Sequence, residues 1–328
     1  MNRRRISTIA QIAAWCLLGF IQSAEGEEAR YLRVGTGPPG ENHFSLGSLI
    51  ASAISAPPGL PCNHNGGCGV AGLIAVASAT AGSEANLETL ADGRLDAALV
   101  EADTPIPAGH KPDQIRAIAN LSLDQMQLVV LRDGPIHSLR DLKGKRISLG
   151  EQGSGTHLHA HQLLAAMGFK DNDVKEDNLR SALAADAMLA GKLDAFFVMD
   201  EAPVPTIAEL AKIKPIRLIG VSGPAVEKMR KGDLLLEPSR IPAGTYAGID
   251  ADVPTVAVGL TFVVSAKLSD DLVYGITKSF WQPETQQVLN DARRGGMPIT
   301  AAGAITGLGV SLHPGAQRFY NETKPVLR

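Results

Sequence analysis

The chain has 328 residues, more than the roughly 100 to 200 of a single domain, and 45% of them are hydrophobic. Two domains, or one large α/β unit with an ample core, are therefore expected. Charged residues make up 20% and the formal net charge is −3, so there is no basic stripe to neutralise a phosphate backbone and nucleic acid is excluded as the expected partner.

The first element in chain order reads as an address. Arg3, Arg4 and Arg5 precede an apolar run from Ile12 to Ile21, and Ala24-Glu25-Gly26 follows. This is the pattern of a secretory signal over 1–26, cleaved near Gly26. The apolar run is too short for the about 20 residues that span a bilayer as a helix. Cleavage would leave a mature chain of net charge −5, and no later stretch is long and apolar enough for a membrane span.

A short strand, YLRVG, then runs into GTGPPG at 35–40. The glycines match Gly-x-Gly-x-x-Gly after a strand, but Pro38 and Pro39 have no N–H to offer a pyrophosphate. The roughly 20 residues that follow hold no acid well placed for a ribose, so a dinucleotide is not expected. FSLGSLIASAI continues as an apolar helix. Next comes PCNHNGGCG, with Cys62 and Cys68 as the only cysteines outside the signal. In an oxidising compartment two cysteines across a short glycine-containing turn are expected to pair. The rival reading, a metal held by both and His64, falls short of the usual four-ligand zinc spacing.

The most informative feature is a repeat. LADGRLDAALV at 90–100 and MLAGKLDAFFV at 188–198 share Gly, a basic residue, Leu-Asp-Ala and a final Val. Each reads as a helix ending at a glycine, then a buried strand. Each strand runs into an acidic loop, Glu101-Ala102-Asp103 and Asp200-Glu201. Upstream of each copy the order strand, glycine loop, apolar helix also recurs, as YLRVGTG before FSLGSLIASAI and as KRISLGEQGSG before HAHQLLAAMG. Strands alternating with helices imply mostly parallel sheets with helices on both faces. The expected class is α/β, with two similar lobes whose mixed, mostly parallel sheets are flanked by helices and joined by a hinge. The β-rich stretches 115–131 and 253–265 read as the links. Residues 27–122 plus 258–328 would form one lobe and 123–257 an inserted second, with the hinge near 120–126 and 254–262. The loops beyond the carboxyl ends of both sets of strands would line one cleft.

GEQGSGTHLHAHQLLAAMG, at 150–168, carries three histidines at alternate positions. A helix turns by about 100° per residue, which puts His157 and His161 within about 40° of each other and His159 on the far side. All three cannot meet one metal, and no further ligand suggests itself, so no metal is expected. Ala160, Leu163, Leu164 and Met167 are expected inside, with the histidines largely on wet faces. The loop also lacks the Gly-Lys-Ser/Thr end of a phosphate-binding loop. What remains is an anion cradle made of backbone N–H groups, the Ser154 and Thr156 hydroxyls and a helix N-terminus. A carboxylate is the smallest sufficient ligand. No Gly-x-Ser-x-Gly elbow or activated thiol is present, so an enzyme is not expected.

Taken together, GTG, ATAGSEANLETLADGRLDAALVEAD, HSLRDLKGKRISLGEQGSGT, AGKLDAFFV, IPAGTY, VPTVAV and LHPGAQRFY resemble the TAXI group of TRAP transporter solute-binding proteins. The resemblance spans about residues 31 to 325, and IPAGTY, VPTVAV and LHPGA are its narrower marks. It implies a periplasmic receptor, of the two-lobed periplasmic-binding-protein fold, that closes over glutamate or a related carboxylate and delivers it to an ion-driven TRAP permease, with no cofactor. The ligand loops it implies are Gly35-Thr36-Gly37 with His43 and Phe44, Gly82-Ser83, Glu101 to Asp103, Gly153-Ser154-Gly155-Thr156, and Asp200-Glu201 after Val198. The chain departs from the family where PPGENHF replaces Gly-Gly-Thr-Tyr-Tyr and where Glu101 stands in place of a common Gln. An ionised Glu101 would repel a carboxylate, accept bonds from an ammonium group or hold a cation, or else face solvent at the cleft rim. His43 and Phe44 would serve as polar donor and apolar wall, or Phe44 would start the buried face of its helix. Other readings are a receptor presenting its ligand to a membrane sensor and an exported metal-dependent hydrolase built on His157 and His161.

Pairing of Cys62 with Cys68 predicts no free thiol in the denatured exported protein. Two titratable thiols per mature chain would count against it.

Overall fold

The computed structural model describes residues 28–59, 69–232, 235–293, 296 and 298–323. The signal segment and the Cys62–Cys68 loop lie outside them. β1 (Arg30–Gly35) buries Leu32 and Val34 and turns Arg33 outward, the alternation of a half-buried strand. It pairs in parallel with β4 (Leu73–Ser78) and β5 (Ala97–Glu101). β2 (Ser55–Ala56) and β3 (Val70–Ala71) form a small separate parallel pair. α1 (Asn42–Ile54) places Leu46, Ile50 and Ile54 in the same core as β1, and α2 (Ser83–Ala91) leads through Gly93 into β5.

The two long β-rich stretches form β6 (Ile115–Leu131) and β12 (Val253–Ser265), antiparallel to each other from Gln125–Ala257 to Ile115–Ser265. β5 joins the later part of β12, and β9 (Ala195–Asp200) joins the later part of β6. Beyond β9 lie β7 (Arg146–Ser148) and β8 (Lys175–Asp177), both parallel. The main sheet therefore runs β4-β1-β5-β12-β6-β9-β7-β8, with β10 (Ile216–Ile219) on β6 and β11 (Glu237–Ile241) on β12. Its wings are parallel and its middle is antiparallel, so the crossing strands fuse the expected pair of sheets into one. The helices α3 (Gly155–Ala166), α4 (Ser181–Leu189), α5 (Pro205–Ile213) and α6 (Pro224–Arg230) belong to the half that holds β7 to β10. The tail returns to the first half through α7 (Asp270–Phe280), α8 (Pro283–Ala292), α9 (Ala301–Ala304) and α10 (Pro314–Thr323).

Separate cores mark the halves. Leu121, Leu260, Phe262 and Val264 pack with β1, α1, α7 and α10, whereas Met126, Leu128, Val256 and Val258 pack with β7, α3 and β9. Each long strand thus passes from one core to the other, between Leu121 and Met126 and at Gly259. A side chain at Gly259 would collide with the Asn120 amide, its Cβ falling 2.8 Å from Nδ2.

The repeat has a physical basis. Arg33 donates from its backbone N–H and its Nε to Asp96 Oδ2, both at 2.8 Å, and from its guanidinium to Gly93 O at 3.0 Å. In the other half Arg146 does the same to Asp194 Oδ2, at 2.8 and 3.1 Å, and to Gly191 O at 2.7 Å. Gly93 and Gly191 have φ of 76° and 70°, a conformation that favours glycine. The shared Gly-x-Leu-Asp-Ala is therefore a helix end plus a carboxylate that ties the following strand to its parallel neighbour. Asp96→Ala and Asp194→Ala should each destabilise by about 0.5–1.5 kcal/mol through the lost hydrogen bonds to the backbone and guanidinium. The double change should be close to additive because the sites are in different halves. Urea denaturation measures both.

Candidate functional site

The carboxyl ends of β1, β5, β7 and β9 open toward each other, and α1 to α5 begin there. Around this junction the chain buries an unusual set of charges: Glu41, His43, Glu101, Asp103, Asp124, His159 and Asp200 are each under 10% exposed. Pairing makes this tolerable. His43, in the first turn of α1, lies 2.7 Å from Asp124 Oδ2 and 3.7 Å from Asp200 Oδ1. The Asn42 N–H donates to Asp200 Oδ2 at 2.8 Å. His159 Nε2 lies 2.8 Å from Asp103 Oδ2, and its Nδ1 lies 2.7 Å from Gly155 O.

Glu101 is 2% exposed, which removes the reading of a solvent-facing rim acid. Its carboxyl packs on Gly155 at the start of α3, so closely that a Cβ there would fall 1.4 Å from Oε2. Its backbone N–H donates to Ser83 Oγ at 3.1 Å, and Oε2 has no hydrogen-bond partner.

Burial pushes the Glu101 carboxyl up to about 7, against the pull of His159, with Asp124 adding to the rise. Burial likewise pushes Asp200 up to about 8, opposed by His43 and aided by Asp124. For His159 burial acts downward, but the bond to Asp103 and the charges of Asp103 and Glu101 outweigh it and raise the imidazole to about 9. His43 is raised well above its ordinary value: burial again acts downward, and Asp124 and Asp200 outweigh it.

The glycine loops fit around this cluster. Thr36 is buried and donates to Ser78 O at 2.8 Å, while a Cβ at Gly37 would crowd His43. Gly82, at φ 132°, lies against Ser154, and the Ala85 N–H donates to Gly153 O at 3.0 Å. Ser154 caps α3 by accepting from the His157 N–H, and Thr156 Oγ1 accepts from the Met199 N–H at 2.9 Å. Each hydroxyl oxygen therefore already accepts one bond that serves the fold, leaving its proton and one lone pair for a ligand. Beside them is a small cavity of about 10 Å³ lined by Glu41, Gly150, Ser154, Thr156, Arg180 and Phe197, where Arg180 Nε is buried without a partner.

Several expectations need correction. His159 is fully buried rather than on a wet face, because α3 lies against both the sheet and the cleft. His157 and His161 do share the outer face, beside Glu176. Met167 is only partly buried, unlike Ala160, Leu163 and Leu164. Phe44 is half-buried and is not among the core side chains. Glu201 leaves the cluster to form a mostly buried pair with Arg293, at 2.6 Å. Sequence reasoning also passed over Asp124 and Arg180. The signal for Asp124 was an acid inside the apolar strand LSLDQMQL. Tyr246, of IPAGTY, donates to Gln127 Oε1 at 2.6 Å and accepts from the Val204 N–H, fixing the loop after β9.

Such an arrangement can hold a small charged group between two sets of loops. In class the chain is a mixed α/β protein, with a central sheet flanked by helices. It belongs to the NMT1-like family, whose pattern matches residues 34–323. In fold it is similar to a protein of Bordetella bronchiseptica RB50, with 16% identity over 92% of this chain and 99% of that one and a TM-score of 0.54. It also matches the alkanesulfonate-binding protein SsuA of Xanthomonas axonopodis pv. citri bound to MOPS, at 20% identity, 90% and 84% coverage and a TM-score of 0.45. An ancestral arginine-binding protein bound to arginine matches at 15% identity, 80% and 96% coverage and a TM-score of 0.49. Among the described residues no helix is long and apolar enough to cross a membrane.

The raised values of Glu101, Asp200 and His159 mean that the folded chain holds protons which the unfolded chain releases near 4.5, 3.8 and 6.5. Stability gained this way is complete at low pH and is lost as pH rises through the folded values. The melting temperature should therefore fall between about pH 5 and 9, and Glu101→Gln should flatten the part below about 7. A melting temperature that rose over that range in the native protein would contradict the cluster's protonation.

Proposed function

We propose that this chain is a solute-binding receptor of the TAXI type, exported to the periplasm, that closes over a small carboxylate-bearing solute, amino acids among them, and hands it to a TRAP permease. The observation that carries the reading is the Glu101 carboxyl buried against Gly155 at the start of α3. It marks a place dimensioned for a carboxyl group, beside the partial positive charge of a helix N-terminus. The unpartnered Arg180 Nε borders the adjoining space and supplies the cation a carboxylate needs. The contacts assigned to the solute are Gly35 to Gly37, His43, Gly82, Ser83, Glu101, Asp103, Gly153 to Thr156 and Asp200.

A cavity of about 10 Å³ is far below the about 300–1,000 Å³ of ordinary ligand pockets, so entry of a solute requires the cleft to open. The moving parts are lobes 27–122 plus 258–328 and 123–257, hinged near 120–126 and 254–262, where the strands pass between cores. The permease, in preference to a membrane sensor, follows from the resemblance in IPAGTY, VPTVAV and LHPGA.

A thermal-shift screen of amino acids and small carboxylates tests the reading, because saturation at about 100 times Kd adds about 2.7 kcal/mol. The radius of gyration should contract when the bound solute is present. Carboxylate affinity should fall as pH rises through about 7, where Glu101 ionises, and Glu101→Gln should remove that fall. Stabilisation by simple amines alone, strengthening with pH, would replace the carboxylate with a cation.

A further inference from the structure

His157 and His161 stand one turn apart on the outer face of α3, with ring centroids 4.4 Å apart. The sequence offers them no third partner, but the fold does. Glu176, on β8, brings Oε1 to 3.1 Å from His161 Nε2 and 3.7 Å from His157 Nε2. One ligand atom from each of the three lies within 4.8 Å of the others. Donors held at about 2.0–2.2 Å from a zinc ion are themselves about 3–3.6 Å apart, so small side-chain rotations suffice to surround an ion. With its amide nitrogen turned toward the acid, the orientation that satisfies its neighbours, Asn178 donates to Glu176 Oε1 at 3.1 Å, the kind of outer bond that helps hold a metal ligand. Glu84, in the first turn of α2, adds negative charge that acts on His157.

We infer that His157, His161 and Glu176 form a binding site for a divalent transition metal of the zinc, nickel or copper class, at the outer edge of the loop that starts α3. Two imidazoles and one carboxylate select these ions over magnesium or calcium, which prefer all-oxygen shells. The side chains of the three are 22%, 46% and 35% exposed, which leaves a path for the ion and open positions for water. The site is separate from the solute cluster: His159, on the same helix, is turned inward to Asp103. The metal ties α3 to β8 within one half of the molecule, and its binding is measured without any solute.

The test uses the mature chain, free of any affinity tag and stripped with chelator. Calorimetric titration with Zn²⁺ should give one equivalent bound, and Cu²⁺ should show imidazole nitrogen coupling in its electron paramagnetic resonance spectrum. His161→Ala and Glu176→Gln should each weaken binding by about tenfold or more, since even an outer-partner change costs about 10–100-fold. Both positions are exposed, and an unchanged circular dichroism spectrum verifies the fold. His137→Ala, a surface histidine beside Arg217, should leave the affinity unchanged. A chain that takes up no metal, or whose affinity is the same in His161→Ala and Glu176→Gln, overturns the site.

Discussion

Two strands carry the whole arrangement, because β6 and β12 belong to two hydrophobic cores at once. Along β12, Val256 and Val258 are buried with one set of helices, and Leu260, Phe262 and Val264 with the other. Along β6 the same handover occurs between Leu121 and Met126. A strand's side chains alternate between faces, so a one-residue slip in the pairing of β6 with β12 would move the side chains of both cores to the opposite face together. The register of these two strands therefore fixes how the loops at the ends of β1, β5, β7 and β9 meet, and hence where the buried charges lie. The irregularities in their pairing, between Leu260 and Thr261 and between Phe262 and Val263, fall just where the first core takes over.

The charges in the junction depend on that fixed geometry. A buried ion without a partner is costly, and here each histidine has its own acid, His43 with Asp124 and His159 with Asp103. The partners in each pair come from distant segments, α1 with the middle of β6 and α3 with the loop after β5. Glu101 and Asp200 are surplus acids, and they respond by holding their protons. The charge of the cluster therefore depends on pH, because both acids ionise only near or above neutrality.

Local patterns made much of the fold readable. The Gly-x-Leu-Asp-Ala repeat was legible because a helix end and a buried strand are written in adjacent residues, and the long strands 115–131 and 253–265 were legible as unbroken β-rich runs. The site was less so. The face of α3 that carries His159 looked solvent-facing because helical spacing separates sides of a helix without saying how many of them are covered. The burial of Glu101 depends on Gly155, and that of Asp124 on His43, contacts made only when the chain is folded. Arg180 has no neighbour in sequence that signals its position beside the Gly150–Thr156 loop, and Glu176 sits on a three-residue strand with nothing local to connect it to His157 and His161.

The pair between Glu201 and Arg293 has a kinetic meaning. It joins the loop after β9 to the residue that follows α8, with side chains 12% and 5% exposed. Parting the halves of the molecule would first break this pair while water is still largely shut out, when the attraction is least screened. Only afterwards would both ions regain hydration, which offsets much of the loss. If the halves open and close as proposed above, a contact of that kind changes the equilibrium between the two forms little and raises the barrier between them, so it would act on how long a bound solute stays rather than on how much is bound.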